Sequence, residues 1–257
     1  METKPKKLKK RYLFSIVVLL IIVAAIICFI CFTQQGYMFS IGFRGFDEVR
    51  DNIYVDETYE SGNTEQLLAL LDEAELRVSE FWGGLEAEPV VIVSDNTEKL
   101  AKLGYTGSPA LTNTFLLFGA HSFVVISPNG VGVDVLAHEL THAELHKRLY
   151  NGKLLYKQLV PIWFDEGVAT QNDYRRQYNN DAWNKATDNG SKSVDFSTIE
   201  QPSQFYSSDT DEKIYNYIVS RHELSEWLDR NGKPALIDLI AEINSGAAFD
   251  DVYYKER

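Results

Sequence analysis

From Leu13 to Phe32 the chain runs for 20 residues without a charged side chain, and six cations (Lys4, Lys6, Lys7, Lys9, Lys10, Arg11) precede that run against one anion, Glu2. A helix of this length, at about 1.5 Å per residue, spans roughly 30 Å, the thickness of bilayer hydrocarbon. The run ends Ile-Cys-Phe-Ile-Cys-Phe-Thr and offers no small-x-small cleavage site, and the apolar core of a signal peptide is usually shorter. A retained signal anchor is therefore expected. Basic flanks stay on the cytoplasmic side, so residues 1–12 are read as a cytoplasmic tail and residues 13–32 as a single transmembrane crossing. Everything from Thr33 onward is expected on the extracellular face of the cell membrane.

Charge divides along the same line. Of 25 basic and 37 acidic side chains, 19 and 36 follow the apolar run, so that part carries a net −17 while the whole chain carries −12. So acidic a surface repels phosphate, which excludes nucleic acid as a partner. Both cysteines, Cys28 and Cys31, lie within the apolar run. The exported part is thus expected to fold without disulfides, and it has no thiol nucleophile.

Residues 33–62 hold glycines, aromatics and acids without a sustained period and are read as a juxtamembrane linker. Beyond them, Leu67, Leu71, Ala74, Val78 and Phe81 recur at steps of four and three, closed by Gly83-Gly84, which predicts an amphipathic helix over 64–82. Pro89 to Val93 reads as a buried strand, 97–103 as a short helix, and 114–118 and 122–127 as two further strands stopped by Pro128-Asn129-Gly130. The remainder is mostly helical: 134–150, 161–174, 211–231 and 234–245, with a polar stretch at 179–208. The expected class is α+β, a small N-terminal mixed sheet with helices followed by a mostly helical C-terminal half, as one domain over 63–257.

Chemistry concentrates in His138-Glu139-Leu140-Thr141-His142. Residues four apart on a helix differ by about 40° in direction and ~6 Å in height, so both imidazoles project from one face and can share a tetrahedral ion. Glu139 lies ~100° round from His138, beside such an ion, where a carboxylate can accept a proton from metal-bound water. Zinc brings the pKa of that water to about 7. His146 continues the spacing but sits ~12 Å along the axis from His138, too far to join the same ion, and is read as a surface or packing residue. Leu145 and Arg148 stand where a metzincin places Gly and His, which excludes that class.

A second segment, Pro161-Ile162-Trp163-Phe164-Asp165-Glu166-Gly167-Val168-Ala169, completes a resemblance. Together with His-Glu-Leu-Thr-His, its Pro-x-Trp-Phe-x-Glu-Gly-x-Ala pattern resembles the gluzincin metalloproteases, the zincin group that includes thermolysin and the membrane alanyl-type aminopeptidases, and most closely their peptidase-MA-like branch. The resemblance covers roughly residues 89–253. It implies a zincin fold, a bound Zn2+, and a third ligand that maps onto Glu166. Two His and one Glu leave a fourth position for water, the catalytic pattern of zinc binding, although other divalent ions accept the same donors. Asp165 points ~100° away from Glu166 and is assigned surface or capping duty. The family often has a carboxylate behind a ligand histidine, but Thr170 stands four residues after Glu166 and Asp173 is off that face, so no such residue is identified.

The resemblance also implies a tyrosine on a later helix as donor to the transition-state oxyanion. Tyr217, with Ser220, Leu224 and Trp227 following it, matches that pattern, and Tyr215 and His222 are the alternatives. Arg221, one turn on, is read as solvated or as a substrate contact. The family pairs its substrate backbone with an exposed sheet edge, which here maps near 114–121. The expected function is a membrane-anchored extracellular zinc peptidase in which Glu139 is the general base and the partner is a peptide or protein substrate. A non-proteolytic cell-surface binding or regulatory domain that retains the zincin fold is the alternative.

Overall fold

The computed structural model describes residues 6–59, 61–116, 119–150 and 152–255. In chain order its elements are α1 (Lys6–Phe32), α2 (Gln34–Phe39), β1 (Phe46–Arg50), β2 (Ile53–Asp56), α3 (Ser61–Trp82), β3 (Val90–Val93), α4 (Thr97–Lys102), β4 (Ala110–Phe115) and β5 (His121–Ile126). The helical part follows: α5 (Val133–Tyr150), α6 (Ile162–Ala169), α7 (Asn180–Thr187), α8 (Pro202–Phe205), α9 (Thr210–Asn231), α10 (Lys233–Asn244) and α11 (Phe249–Tyr253). The chain is a mixed α/β protein with one five-stranded sheet and one N-terminal apolar helix.

The strands run in the order β1-β2-β3-β5-β4. β2, β3 and β5 are mutually parallel, while β1 and β4 flank them antiparallel. The inner strands are apolar on both faces because both faces are covered. Val91, Val93, Val124 and Ile126 point into the larger core with α3 and α5, and Ile92, Phe123 and Val125 point into a smaller one with Met38 of α2 and Leu100 of α4. Among the described residues β4 pairs with β5 alone and so leaves an edge. On the larger side α3 and α6 pack against α5, and α9 packs against α6.

Of residues 33–62, expected as linker, 34–56 instead form α2, a 3-10 turn and the strands β1 and β2. Thr33 caps α2 by accepting from Gly36 N at 2.9 Å, and β1 and β2 pair across a two-residue turn at Asp51-Asn52, with Asn52 at φ 62°. β2 then pairs parallel to β3. The segment is welded to the apolar helix as well. Arg44 Nη2 donates to the Ile30 carbonyl at 2.6 Å, and a Cβ built on Gly36 would fall 2.1 Å from the Phe29 carbonyl oxygen, so only glycine permits this approach.

Over Tyr12–Phe32, α1 is long and apolar enough to cross a membrane. Its large side chains are exposed along the run, Phe14 at 71% and Ile21 at 63%. Such a surface suits lipid rather than water.

Candidate metal centre

α5 is buried along most of its length, and its His138 and His142 face α6, whose first turn follows Pro161. Pro161 has φ −62°, the angle proline prefers, and so starts α6 without a side-chain cap. Behind α6 lies α9, close enough that a Cβ on Gly167 would stand 2.8 Å from the Ser220 carbonyl oxygen. Gly167 thereby lets three helices converge on one spot.

At that spot His138 Nε2 and His142 Nε2 are 3.1 Å apart, and Glu166 Oε2 lies 3.2 Å from the first and 3.3 Å from the second. Donors of a tetrahedral ion with bonds of about 2.0–2.1 Å stand roughly 3.3–3.4 Å from one another, so the triangle has the size a zinc ion requires. Glu166 Oε2 is buried and has no hydrogen-bond partner among the described residues. Burial disfavours a charged His142, yet the carboxylates of Glu166 and Asp165 hold its pKa well above the ordinary value. Glu166 is likewise held well below the usual carboxylate range, burial being outweighed by His142 and His138. Three donors and two carboxylate charges gather round one point, and positive charge is what they stabilise there.

Two carboxylates stand behind the ligands. Asp165 does not serve the surface or a cap: its Oδ1 accepts from His142 Nδ1 at 2.6 Å, and its Oδ2 pairs with His146 Nε2 at 2.8 Å. The two nitrogens of an imidazole point apart, so neighbours diverging by ~100° on α6 grip the His142 ring from opposite sides. His146 is correspondingly more than a packing residue, with its Nδ1 2.8 Å from Thr114 Oγ1. Asp173 is fully buried, 3.6 Å from His138 Nδ1 through Oδ2, and is itself held by Arg175 Nη2 at 2.5 Å. α6 ends at Ala169 and turns as a 3-10 helix over Thr170–Asn172, which brings Asp173 back to a face that a continuous helix would deny it.

Glu139 is 7% exposed, and Thr112 Oγ1 of β4 lies 2.7 Å from its Oε2. The Tyr217 ring packs 6.2 Å from the His138 ring, between Tyr178 and Phe205. Burial raises the pKa of its hydroxyl well above the ordinary value, and the Glu166 charge adds to the rise. Tyr206, not anticipated from sequence, donates to Glu166 Oε1, which leaves Oε2 facing His138 and His142. The alternatives fall elsewhere. Tyr215 packs against the large core. His222 stacks on Trp183 at 3.7 Å, beside a cavity of about 490 Å³ lined by none of the site residues. Arg221 is half-buried and donates to the carbonyls of Thr170 and Asp173, so that it pins the turn that carries Asp173.

No protein-family model matches the chain, and no curated protein matches it.

Proposed function

We propose that this chain is a membrane-anchored zinc peptidase of the zincin type, with its domain on the extracellular side of the cell membrane. The observation that carries the reading is the triangle of His138 Nε2, His142 Nε2 and Glu166 Oε2, edges 3.1–3.3 Å, with Glu139 one residue along the same helix. The motif helix lying under a mixed sheet with an antiparallel edge strand supports the zincin fold, and the cations ahead of the apolar run of α1 support the topology.

His138, His142 and Glu166 would hold the ion. Bound there, zinc supplies a Lewis acid and brings the pKa of water to about 7. Glu139, steadied by Thr112, takes a proton from the attacking water and returns it to the leaving amine, so the peptide C–N bond breaks with no net gain or loss of protons. Tyr217 donates to the carbonyl oxygen as negative charge develops on it. The free side of β4 receives the substrate backbone as an added strand.

The test compares full-length wild type, Glu139→Gln and His138→Ala in lipid nanodiscs. Wild type and Glu139→Gln are expected to bind one zinc each, while Glu139→Gln cleaves an unfolded protein about 10²–10⁴-fold more slowly. Cleavage by Glu139→Gln at the wild-type rate would falsify the mechanism and favour a binding domain.

A further inference from the structure

One ligand of the proposed centre is tied to the sheet by an unbroken chain of polar groups. From His142 Nδ1 it runs to Asp165 at 2.6 Å, to His146 Nε2 at 2.8 Å, from His146 Nδ1 to Thr114 Oγ1 at 2.8 Å, and on to Ser122 Oγ at 2.8 Å. The side chains of His142, Asp165 and His146 are only 10–15% exposed, so protein groups rather than water satisfy them. We propose that His146 and Thr114 are positioning residues which, acting through Asp165, fix the tautomer and ring angle of His142.

The proton directions follow from the donor inventory. If His142 Nε2 faces a metal, its proton resides on Nδ1 and is given to Asp165 Oδ1. An ionised carboxylate only accepts, so His146 gives its Nε2 proton to Oδ2. A neutral imidazole then has Nδ1 as acceptor, and the Thr114 hydroxyl must donate to it. Thr114 Oγ1 accepts from Ser122 in turn. With a neutral His146 ring each step has one solution, because reversing the Thr114 bond would leave two acceptors facing each other; a His146 protonated on both nitrogens would reverse the Thr114 and Ser122 bonds.

The register of the edge strand accounts for the choice of residues. Thr112 and Thr114 are two apart on β4 and therefore share the face turned to α5, Thr112 meeting Glu139 and Thr114 meeting His146. The strand holds both the base and, at two removes, a ligand. The imidazole of His146 spans a gap between Asp165 and Thr114 that no direct hydrogen bond closes.

This inference rests on the metal-centre reading, and the experiment separates the two. Zinc affinity of the full-length chain in nanodiscs is measured by competition with a chromophoric chelator, and the visible absorption of the cobalt-loaded protein is recorded. His146→Ala and Asp165→Asn are expected to weaken zinc binding by about 10–100-fold and to shift the cobalt bands. Thr114→Val, which removes one hydroxyl and keeps the shape, is expected to cost about fivefold, and Thr114→Ser to restore most of it. Thr114→Val carries the test if His146→Ala does not fold. Wild-type affinity and an unchanged cobalt spectrum in Thr114→Val and His146→Ala, even with lower melting temperatures, would overturn the inference. A wild-type chain that binds zinc no better than His138→Ala sinks the metal-centre reading and this inference with it.

Discussion

Thr112 Oγ1 lies 2.7 Å from Glu139 Oε2, so the carboxylate assigned as general base is steadied by the edge strand of the sheet as well as by its own helix. Thr112→Val frees that carboxylate to rotate without touching any donor of the triangle. The expected outcome is a kcat lower by about 10–100-fold at unchanged zinc affinity. Steady-state kinetics beside a zinc titration check it, with Thr112→Ser retaining most of the rate.

Two tyrosines reach the centre from different elements and are expected to separate by readout. Tyr206 donates to Glu166 Oε1, so Tyr206→Phe is expected to weaken zinc affinity by about tenfold while kcat at saturating zinc stays close to wild type. Tyr217→Phe is expected to lower kcat by about 10²–10³-fold with zinc affinity intact. Exchanged phenotypes would assign the oxyanion donor to Tyr206.

Gly167→Ala tests the convergence of the helices. Alanine favours a helix over glycine by up to ~1 kcal/mol, but the added methyl would sit 2.8 Å from the Ser220 carbonyl oxygen, and overpacking of this kind costs about 1–3 kcal/mol. The clash is with backbone, so it wins. The melting temperature is expected to fall, and Tyr217, one turn before Ser220, to shift with α9.

Acid stability depends on Asp56, distant from the proposed centre. Burial pushes its pKa up, but hydrogen bonds from Ser94, Thr58 and Lys99 prevail and hold it below the ordinary aspartate value. A depressed folded-state pKa means stability present above the unfolded value, about 3.9, and lost as pH falls through the folded one. Asp56→Asn is expected to be less stable than wild type at pH 7 by about 1–3 kcal/mol, with the gap closing below pH 4. Denaturation midpoints measured from pH 7 to pH 2.5 give the comparison.

The long amphipathic segments were legible because apolar spacing is local. The predicted helices over 64–82, 134–150, 211–231 and 234–245 differ from α3, α5, α9 and α10 by three residues at most. β1 and β2 were missed because each is short and half-polar, with Asp47 and Glu48 exposed, although Asp51-Asn52 between two β-rich runs is a two-residue hairpin signal that could have revealed them. α7 and α8 lie in the polar stretch that periodicity left blank.

In the proposed centre, His138, His142 and Glu166 are brought together as the motifs imply. Asp165 was misjudged because a helix taken alone has an inside and an outside, whereas α6 crosses α5 and both of its neighbouring carboxylates meet one ring. Asp173 and Tyr206 arrive through a 3-10 turn and through the end of α8, whose directions no periodic pattern encodes.

A domain hung on a slack tether sweeps a hemisphere and meets its substrates by diffusion. Here Arg44 donates to the carbonyl of Ile30, and Gly36 leaves no gap beside Phe29, so a tilt of the apolar helix is passed to the segment packed against it. Such a helix leans to match the thickness of the bilayer around it. On the proposed function, the thickness of the membrane would then set how the proposed metal centre is oriented, with no change to its residues.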